Sequence, residues 1–214
     1  MRSELAGVAR GRVIAITGSG GVGKSSLIGK LIGVIRGNQL RVAVLACDPQ
    51  SPLTGGALLG DRIRMSPTEP DDGVLIRSFA TAGGHQAIIP DLDVMSSLLF
   101  AYGFDVVILE TVGAGQGDTA VRDLADTVVV LLQPESGDEL QWEKAGVLEI
   151  ADVVVINKAD LPGAEATAAQ VAALLNLPGC RQIPIQRTSP ARNEGIEELW
   201  ELLEKLPSHT TAGN

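Results

Sequence analysis

The segment Arg12 to Ser26, RVIAITGSGGVGKSS, decides the fold. It opens on Val13-Ile14-Ala15-Ile16, an apolar run rich in β-branched residues that reads as a buried strand. Gly18-Ser19-Gly20-Gly21-Val22-Gly23-Lys24-Ser25 follows without a break and matches G-x-x-x-x-G-K-[ST] at every position. Leu27, Ile28, Leu31, Ile32 and Ile35 then recur at helical spacing. Strand, glycine loop and helix in that order make a phosphate site. The glycines let the backbone curl so that successive N–H groups point at one anion. A helix starting near Lys24 adds its positive dipole end. Lys24 can reach the β- and γ-phosphates of a nucleotide, and Ser25 can offer its hydroxyl to Mg²⁺. A ligand-free glycine turn would need neither the lysine nor the serine. Gly18, Ser19, Gly20, Gly21, Val22, Gly23, Lys24, Ser25 and Ser26 are the expected phosphate-binding residues.

The rest of the composition fits such a unit. A chain of 214 residues is long enough for one α/β domain with a full core. We expect a single P-loop domain over 1–214, with flexible ends at 1–11 and 207–214. Hydrophobic residues make up 45% and aromatics only 3%, so the core must be Val, Ile, Leu and Ala, which suits a parallel sheet covered by helices. A net charge of −9 argues against nucleic acid or an anionic membrane as the main partner. Cys47 and Cys180 lie far apart, outside any ligand-spaced motif, and read as small buried apolar residues. The first dozen residues lack the apolar centre of a signal peptide, and no apolar run reaches transmembrane length, so a soluble, cytoplasmic protein is expected.

Along the chain, apolar β-rich runs alternate with helical patterns. Strands are predicted at Arg41–Ala46, Val74–Phe79, Asp105–Leu109, Thr127–Leu132, Val153–Ile156 and Ile183–Ile185. Helices are predicted up to about Tyr102, over about Leu140–Ile150, over Ala164–Leu175 and over Ile196–Leu206, the last with Ile196, Leu199, Leu203 and Leu206 on its apolar face. Gly37-Asn38 marks a turn. This alternation implies right-handed crossovers and a mostly parallel sheet with helices on both faces.

A second nucleotide signal follows the strand at Val153–Ile156. Asn157-Lys158-Ala159-Asp160 has the N-K-x-D form of a guanine reader. The Asp160 carboxylate can accept from both the ring N1–H and the exocyclic amine of guanine, whereas adenine presents neither donor in that arrangement. Asn157 and Lys158 would hold the loop and cover the base. Both motifs sit at carboxyl ends of strands, where ligands gather in open parallel sheets. Thr188-Ser189-Pro190-Ala191 follows the last strand, and Ser189, Pro190 and Ala191 are candidates for a further base-contacting loop, although the proline removes one backbone donor.

The catalytic expectation rests on the strand Asp105 to Glu110 and the Thr111-Val112-Gly113 that follows. A buried strand there delivers one carboxylate, Glu110, to the metal region. Gly113 can swing its N–H toward a γ-phosphate and release it after hydrolysis. Asp48 ends the neighbouring strand and can approach the same Mg²⁺ or an attacking water. Asp61 is a further candidate Mg²⁺ ligand, although an Asp beside Arg62 also makes an ordinary surface pair. Lys24, Asp48, Glu110 and Gly113 are thus the catalytic candidates, and Ser25, Asp48, Asp61 and Glu110 the metal candidates. His85, in a glycine-flanked loop, has no partner in sequence that favours catalysis over a bystander role.

ACDPQSPLTGGALLGDRIRM (Ala46 to Met65), LETVGAGQGD (Leu109 to Asp118), SGDELQWEKAGVLEIADVVVINKAD (Ser136 to Asp160) and EGIEELW (Glu194 to Trp200) together resemble the MeaB/ArgK-type GTPases, G-protein chaperones of adenosylcobalamin-dependent acyl-CoA mutases. The resemblance runs from Arg12 to about Leu206. It implies a G protein of the SIMIBI class that hydrolyses GTP to GDP, with Mg²⁺, and couples hydrolysis to loading and protecting the cobalamin of a partner mutase. It places Asp48, Asp61 and Glu110 in the Mg²⁺ and switch regions. Gln133 to Ala145, with Asp138, Glu139 and Lys144, falls in an extra switch that relays nucleotide state to the mutase. Two departures stand out. Gln50 replaces the usual serine, and the helical extension and dimerisation arm typical of the family have no counterpart in the 214 residues, which resemble the G domain fused inside some isobutyryl-CoA-type mutases. The expected assembly is monomeric or weakly dimeric with GDP, and a homodimer across the nucleotide loops with GTP. Two other readings use the same P-loop: a metal-delivery GTPase, for nickel enzymes for instance, and a small-molecule kinase. The first would ordinarily carry a histidine- or cysteine-rich cluster, and the second needs no guanine reader.

Overall fold

The computed structural model describes residues 11–49, 65, 70–81, 91–111, 119–134 and 148–207. Their centre is β1 (Arg12–Gly18), whose Val13 to Gly18 are all buried. It is flanked by β4 (Val106–Glu110) and β5 (Thr127–Leu132). Outward lie β2 (Val42–Pro49) and β3 (Val74–Thr81) on one side, and β6 (Val153–Ile156) and β7 (Ile185–Arg187) on the other, giving the order β3-β2-β4-β1-β5-β6-β7. Every pairing is parallel.

The inner strands are apolar on both faces because both faces are covered. Ile14, Ile16, Ile108, Val129 and Val155 point to one side. There they meet Leu27, Ile28, Leu31 and Ile35 of α1 (Lys24–Gly37) and Leu199, Trp200 and Leu203 of α5 (Ile196–Lys205). Val13, Ala15, Leu109, Val130 and Val154 point to the other. They meet Leu92 and Phe100 of α2 (Leu92–Ala101), Val121 of α3 (Thr119–Leu124), and Val171 and Leu175 of α4 (Ala164–Leu175). Residues 148–150 are helical, consistent with the end of the helix expected at 140–150, whose remaining residues lie outside the described ones. Among the described residues no helix is long and apolar enough to cross a membrane.

Aspartates tie down the amino edge of the sheet. Asp105, Asp126 and Asp152 each stand one residue before a strand. Asp126 Oδ2 accepts from Val13 N at 2.8 Å, Asp152 Oδ2 from Val128 N at 2.9 Å and Asp105 Oδ2 from Arg41 N at 2.7 Å. The repeated D-x-V pattern thus supplies an acceptor to the neighbouring strand where the ladder begins. Arg12, at the start of β1, donates its guanidinium to the carbonyls of Leu203 and Leu206 and caps the last turn of α5.

Four details depart from the expectations. The last strand is Ile185–Arg187 rather than 183–185, because Pro184 has no N–H and gives the ladder only its carbonyl, to Val154 N at 3.0 Å. As a half-exposed edge strand it tolerates Gln186 and Arg187. α3 has only six residues, too few for a helical period to show in sequence. Cys47 is buried as expected, but Cys180 is exposed, following the short turn after α4 rather than lying in the core. In α5 it is Trp200 that joins Ile196, Leu199 and Leu203 in the core, while Leu206 is only partly covered.

Asp126 also donates its own N–H to the Val13 carbonyl at 2.8 Å, so both polar groups of Val13 rest on one residue. Truncation in Asp126→Ala strands a buried N–H at the centre of the sheet. The expected loss is about 1–3 kcal/mol of stability, read as a lower urea midpoint at unchanged slope. An unchanged midpoint would show that the aspartate does not hold the strand edge.

Candidate functional site

The carboxyl edge of the sheet brings the motif residues together. β1 ends at Gly18, and the loop returns into α1 at Lys24. Gly18 has φ +147°, and a Cβ there would come within 2.6 Å of the Leu131 carbonyl oxygen. Gly23 has φ +98°, and its Cβ would come within 2.6 Å of Asn157 Nδ2. These two positions require glycine both for conformation and for space. Among the described residues no side chain caps the N-terminus of α1, and its positive end faces the loop. Lys24 folds back onto the loop, donating from Nζ to the carbonyls of Gly18 at 2.9 Å and Ser19 at 3.3 Å. A phosphate oxygen is a stronger acceptor than either carbonyl, so the ammonium is held beside the cradle and ready for exchange.

Ser25 Oγ, on the first turn of α1, donates to Glu110 Oε1 at 3.0 Å. Both residues are buried. Glu110 ends β4, in register with Ile16 of β1 and Ala46 of β2. Asp48 lies two positions beyond Ala46 on β2, so its backbone shares this edge. A hydroxyl and a carboxylate are hard oxygen donors, the chemistry Mg²⁺ prefers, and the two sit together beside the phosphate loop; the donor set fits that ion. Asp61, Gly113 and His85 lie outside the described residues, as do the segments 50–64 and 135–147.

The guanine-reader candidates are bound to the phosphate loop. Asn157, 1% exposed, donates from Nδ2 to the Val22 carbonyl at 2.8 Å and accepts at Oδ1 from Thr188 Oγ1 at 2.9 Å. Lys158 has a left-handed backbone, φ +55°, and donates from Nζ to the Gly21 carbonyl at 2.7 Å and Gln133 Oε1 at 2.8 Å. Asp160 accepts from Ser189 Oγ at 2.6 Å. Ser189 is itself fixed by a two-way backbone pairing with Glu194, at 2.9 and 3.1 Å. Pro190 is buried and Ala191 exposed, so of the three loop candidates only Ser189 reaches Asp160. Sequence reasoning places Thr188 in a candidate base-contacting loop but foresees neither its bond to Asn157 nor the Gln133 contact. Thr188 was visible only as the first letter of T-S-P-A, and Gln133 only as the start of a longer segment.

The Ser189 hydroxyl, and then Asp160's own backbone N–H, hold the Asp160 carboxyl below the usual carboxylate range. Burial opposes these two hydrogen bonds by less than they supply, and Arg192 adds a smaller lowering effect still. A carboxyl whose folded pKa is depressed contributes stability above its unfolded pKa and loses it as pH falls through the folded one. Ser189→Ala removes the largest cause. The Asp160 carboxyl carbon, followed by NMR, should titrate at higher pH in the variant, and its smaller contribution to stability should be fully lost at a correspondingly higher pH. An unmoved titration would mean that the hydroxyl does not hold the charge.

Comparisons with known proteins agree with this arrangement. Over residues 1–213 the chain matches the family model described as methylmalonyl Co-A mutase-associated GTPase MeaB. A Pyrococcus abyssi protein provisionally named a GTPase is 45% identical over 199 residues, covering 90% of this chain and 61% of that protein. The fused isobutyryl-CoA mutase of Nocardia farcinica is 47% identical over 168 residues, 76% of this chain and 16% of the mutase. The chain therefore spans less than two thirds of the length of these relatives. The crystal structure of LAO/AO transport system kinase shares the fold, with TM-score 0.65 at 24% identity over 94% of this chain and 61% of that one. HypB from Helicobacter pylori, solved with nickel, does so with TM-score 0.64 at 20% identity over 91% of this chain and 86% of that one. The fold is that of a P-loop nucleotide-binding protein, and the chain belongs to the MeaB family of methylmalonyl Co-A mutase-associated GTPases.

Proposed function

We propose that the chain is a Mg²⁺-dependent GTPase switch whose nucleotide state is read by an adenosylcobalamin-dependent acyl-CoA mutase, gating the loading and protection of its cobalamin. The observation that carries the nucleotide part is the Asn157 side chain, bonded at once to Val22 of the phosphate loop and Thr188 of the loop after β7. These bonds tie the phosphate loop to the candidate base reader, which suits a ligand carrying both a guanine and a polyphosphate. Mutase fusion in a relative 47% identical to this chain supports the partner. The nickel-delivery and kinase alternatives draw only on likeness of fold.

In this reading GTP enters with its phosphates on the backbone N–H groups of the loop. Lys24 moves from the Gly18 and Ser19 carbonyls to the β- and γ-phosphates. Asp160 accepts from the guanine N1–H and amine, its ionised state protected by Ser189. Ser25 and Glu110, with Asp48 and Asp61 as further candidates, would hold Mg²⁺, which supplies neutralising charge to the phosphates when bound. Water attacks the γ-phosphorus, the bond to the β–γ bridging oxygen breaks, and GDP and phosphate leave. Lys24 lowers the barrier because its charge is already in place when negative charge builds on the leaving oxygen. Gly113 would sense the γ-phosphate through its N–H. The protein is read as cytoplasmic and as a single domain over its 214 residues.

Hydrolysis assays test this directly. Lys24→Ala should abolish turnover, as should chelation of Mg²⁺. Asp160→Asn should lose one to three decades of GTP affinity, roughly the worth of a buried double contact, and gain relative affinity for xanthosine nucleotide, whose base carries an oxygen in place of the amine. Equal use of ATP and GTP by the parent protein would sink the reading.

Assembly is the second part of the proposal: pairing of two copies across the nucleotide loops when the γ-phosphate is present. Light scattering with GDP, with a non-hydrolysable GTP analogue, and with the analogue plus mutase should give three increasing masses. One mass in all three conditions would remove nucleotide control of assembly. The coupling must be reciprocal, so the mutase should tighten GTP binding by the same factor that GTP tightens mutase binding.

A further inference from the structure

We propose that Gln133 is a positioning residue of the nucleotide site: it pins the Lys158 ammonium against the phosphate loop and so slows the release of guanine nucleotide. The inference rests on the guanine-nucleotide reading above and adds a residue that no motif marks.

The placement follows from the sheet. Gln133 is the first residue beyond β5, which lies between β1 and β6. Leu132 is in register with Ile156, and Asn157 N donates to the Leu132 carbonyl at 2.7 Å. The residues that follow, Gln133 and Lys158, are thereby fixed side by side at the strand ends. Lys158 crosses from β6 to the phosphate loop: a Cβ on Gly23 would stand 3.7 Å from its Cε, and its Nζ reaches the Gly21 carbonyl. A lysine has three donors on a flexible four-carbon stem, and a single acceptor leaves it free to pivot. Gln133 Oε1, at 2.8 Å, supplies a second acceptor from another strand and fixes the stem where it would lie against the base.

The chemistry of the side chain matters as much as its reach. A carboxamide accepts the hydrogen bond without neutralising the ammonium. Gln133 therefore adds no opposing charge beside Lys158 at the loop whose Gly18 carbonyl Lys24 also contacts. A glutamate at 133 would hold the same geometry but cancel much of the ammonium's field. The left-handed backbone at Lys158 adds a reason for an external tether, since a non-glycine residue in that conformation needs its surroundings to hold it.

Release of N-methylanthraniloyl-GDP, followed by stopped-flow fluorescence after mixing with excess GDP, separates this role from simple strand capping. Gln133→Met keeps length and removes the acceptor. Release should be about tenfold faster, the low end for losing a hydrogen bond to a charged group at a partly exposed site. Gln133→Glu restores the acceptor and should fall between Met and the parent. Lys158→Ala should also release faster, and Gln133→Met added to it should do nothing more, because the tether has lost its object. Parent-like release by Gln133→Met, or a Gln133→Met effect that persists undiminished in the Lys158→Ala background, would overturn the proposal while leaving the guanine-nucleotide reading intact. A parent protein that retains no labelled GDP would instead overturn that reading, and this proposal with it.

Discussion

The structure depends on one buried carboxamide. Asn157 must satisfy a donor and an acceptor away from water, and it does so with the Val22 carbonyl on one side and the Thr188 hydroxyl on the other. The contact sets the shape of its neighbours. Gly23 can carry no side chain because the amide nitrogen occupies that space. The loop after β7 is drawn in through Ala159 N to the Thr188 carbonyl and Thr188 N to the Ile156 carbonyl, both at 3.0 Å. Removing the carboxamide would leave a buried carbonyl and a buried hydroxyl without this partner, a larger loss than one hydrogen bond formed in water.

Strand order makes that contact possible. β5 separates β1 from β6, and parallel pairing puts all three carboxyl ends on one edge. The sheet is therefore chemically polarised. Its amino edge carries Asp105, Asp126 and Asp152 as acceptors for strand N–H groups, with Arg122 and Arg181 beside Asp152. At its carboxyl edge two ammonium groups, Lys24 and Lys158, are aimed at the carbonyls of one loop. A chain of net charge −9 thus sets two ammonium groups against the loop where a polyphosphate would sit, with the Glu110 and Asp160 carboxylates at the same edge taken up by Ser25 and Ser189.

Much of this was legible in the residues. The loop at Gly18–Ser25 announces itself, because few arrangements other than a phosphate cradle need four glycines, a lysine and a serine at those spacings. The strands at 127–132 and 153–156 and the helix at 164–175 match their predicted bounds, because fully buried strands and a regular apolar period leave little ambiguity. What escaped was tertiary. β7 is set by its edge position and by Pro184, neither visible as a pattern of apolar residues. Thr188 and Gln133 act through contacts 31 and 25 residues away in sequence, and a polar residue beside a motif gives no local sign of such a partner. The Ser25–Glu110 pair spans 85 residues; sequence supplied the two candidates, and the register of β4 against β1 is what joins them.

The central claim is that phosphate loop and base reader form one guanine-nucleotide site through Asn157. Titration calorimetry of GDP and ADP in Mg²⁺ against the parent protein and Asn157→Ala tests it most directly. The parent should bind GDP with no comparable affinity for ADP, and Asn157→Ala should weaken GDP by at least about tenfold, the cost of breaking a buried, doubly bonded amide. Equal binding of GDP and ADP by the parent, or undiminished GDP binding by the variant, would contradict the account.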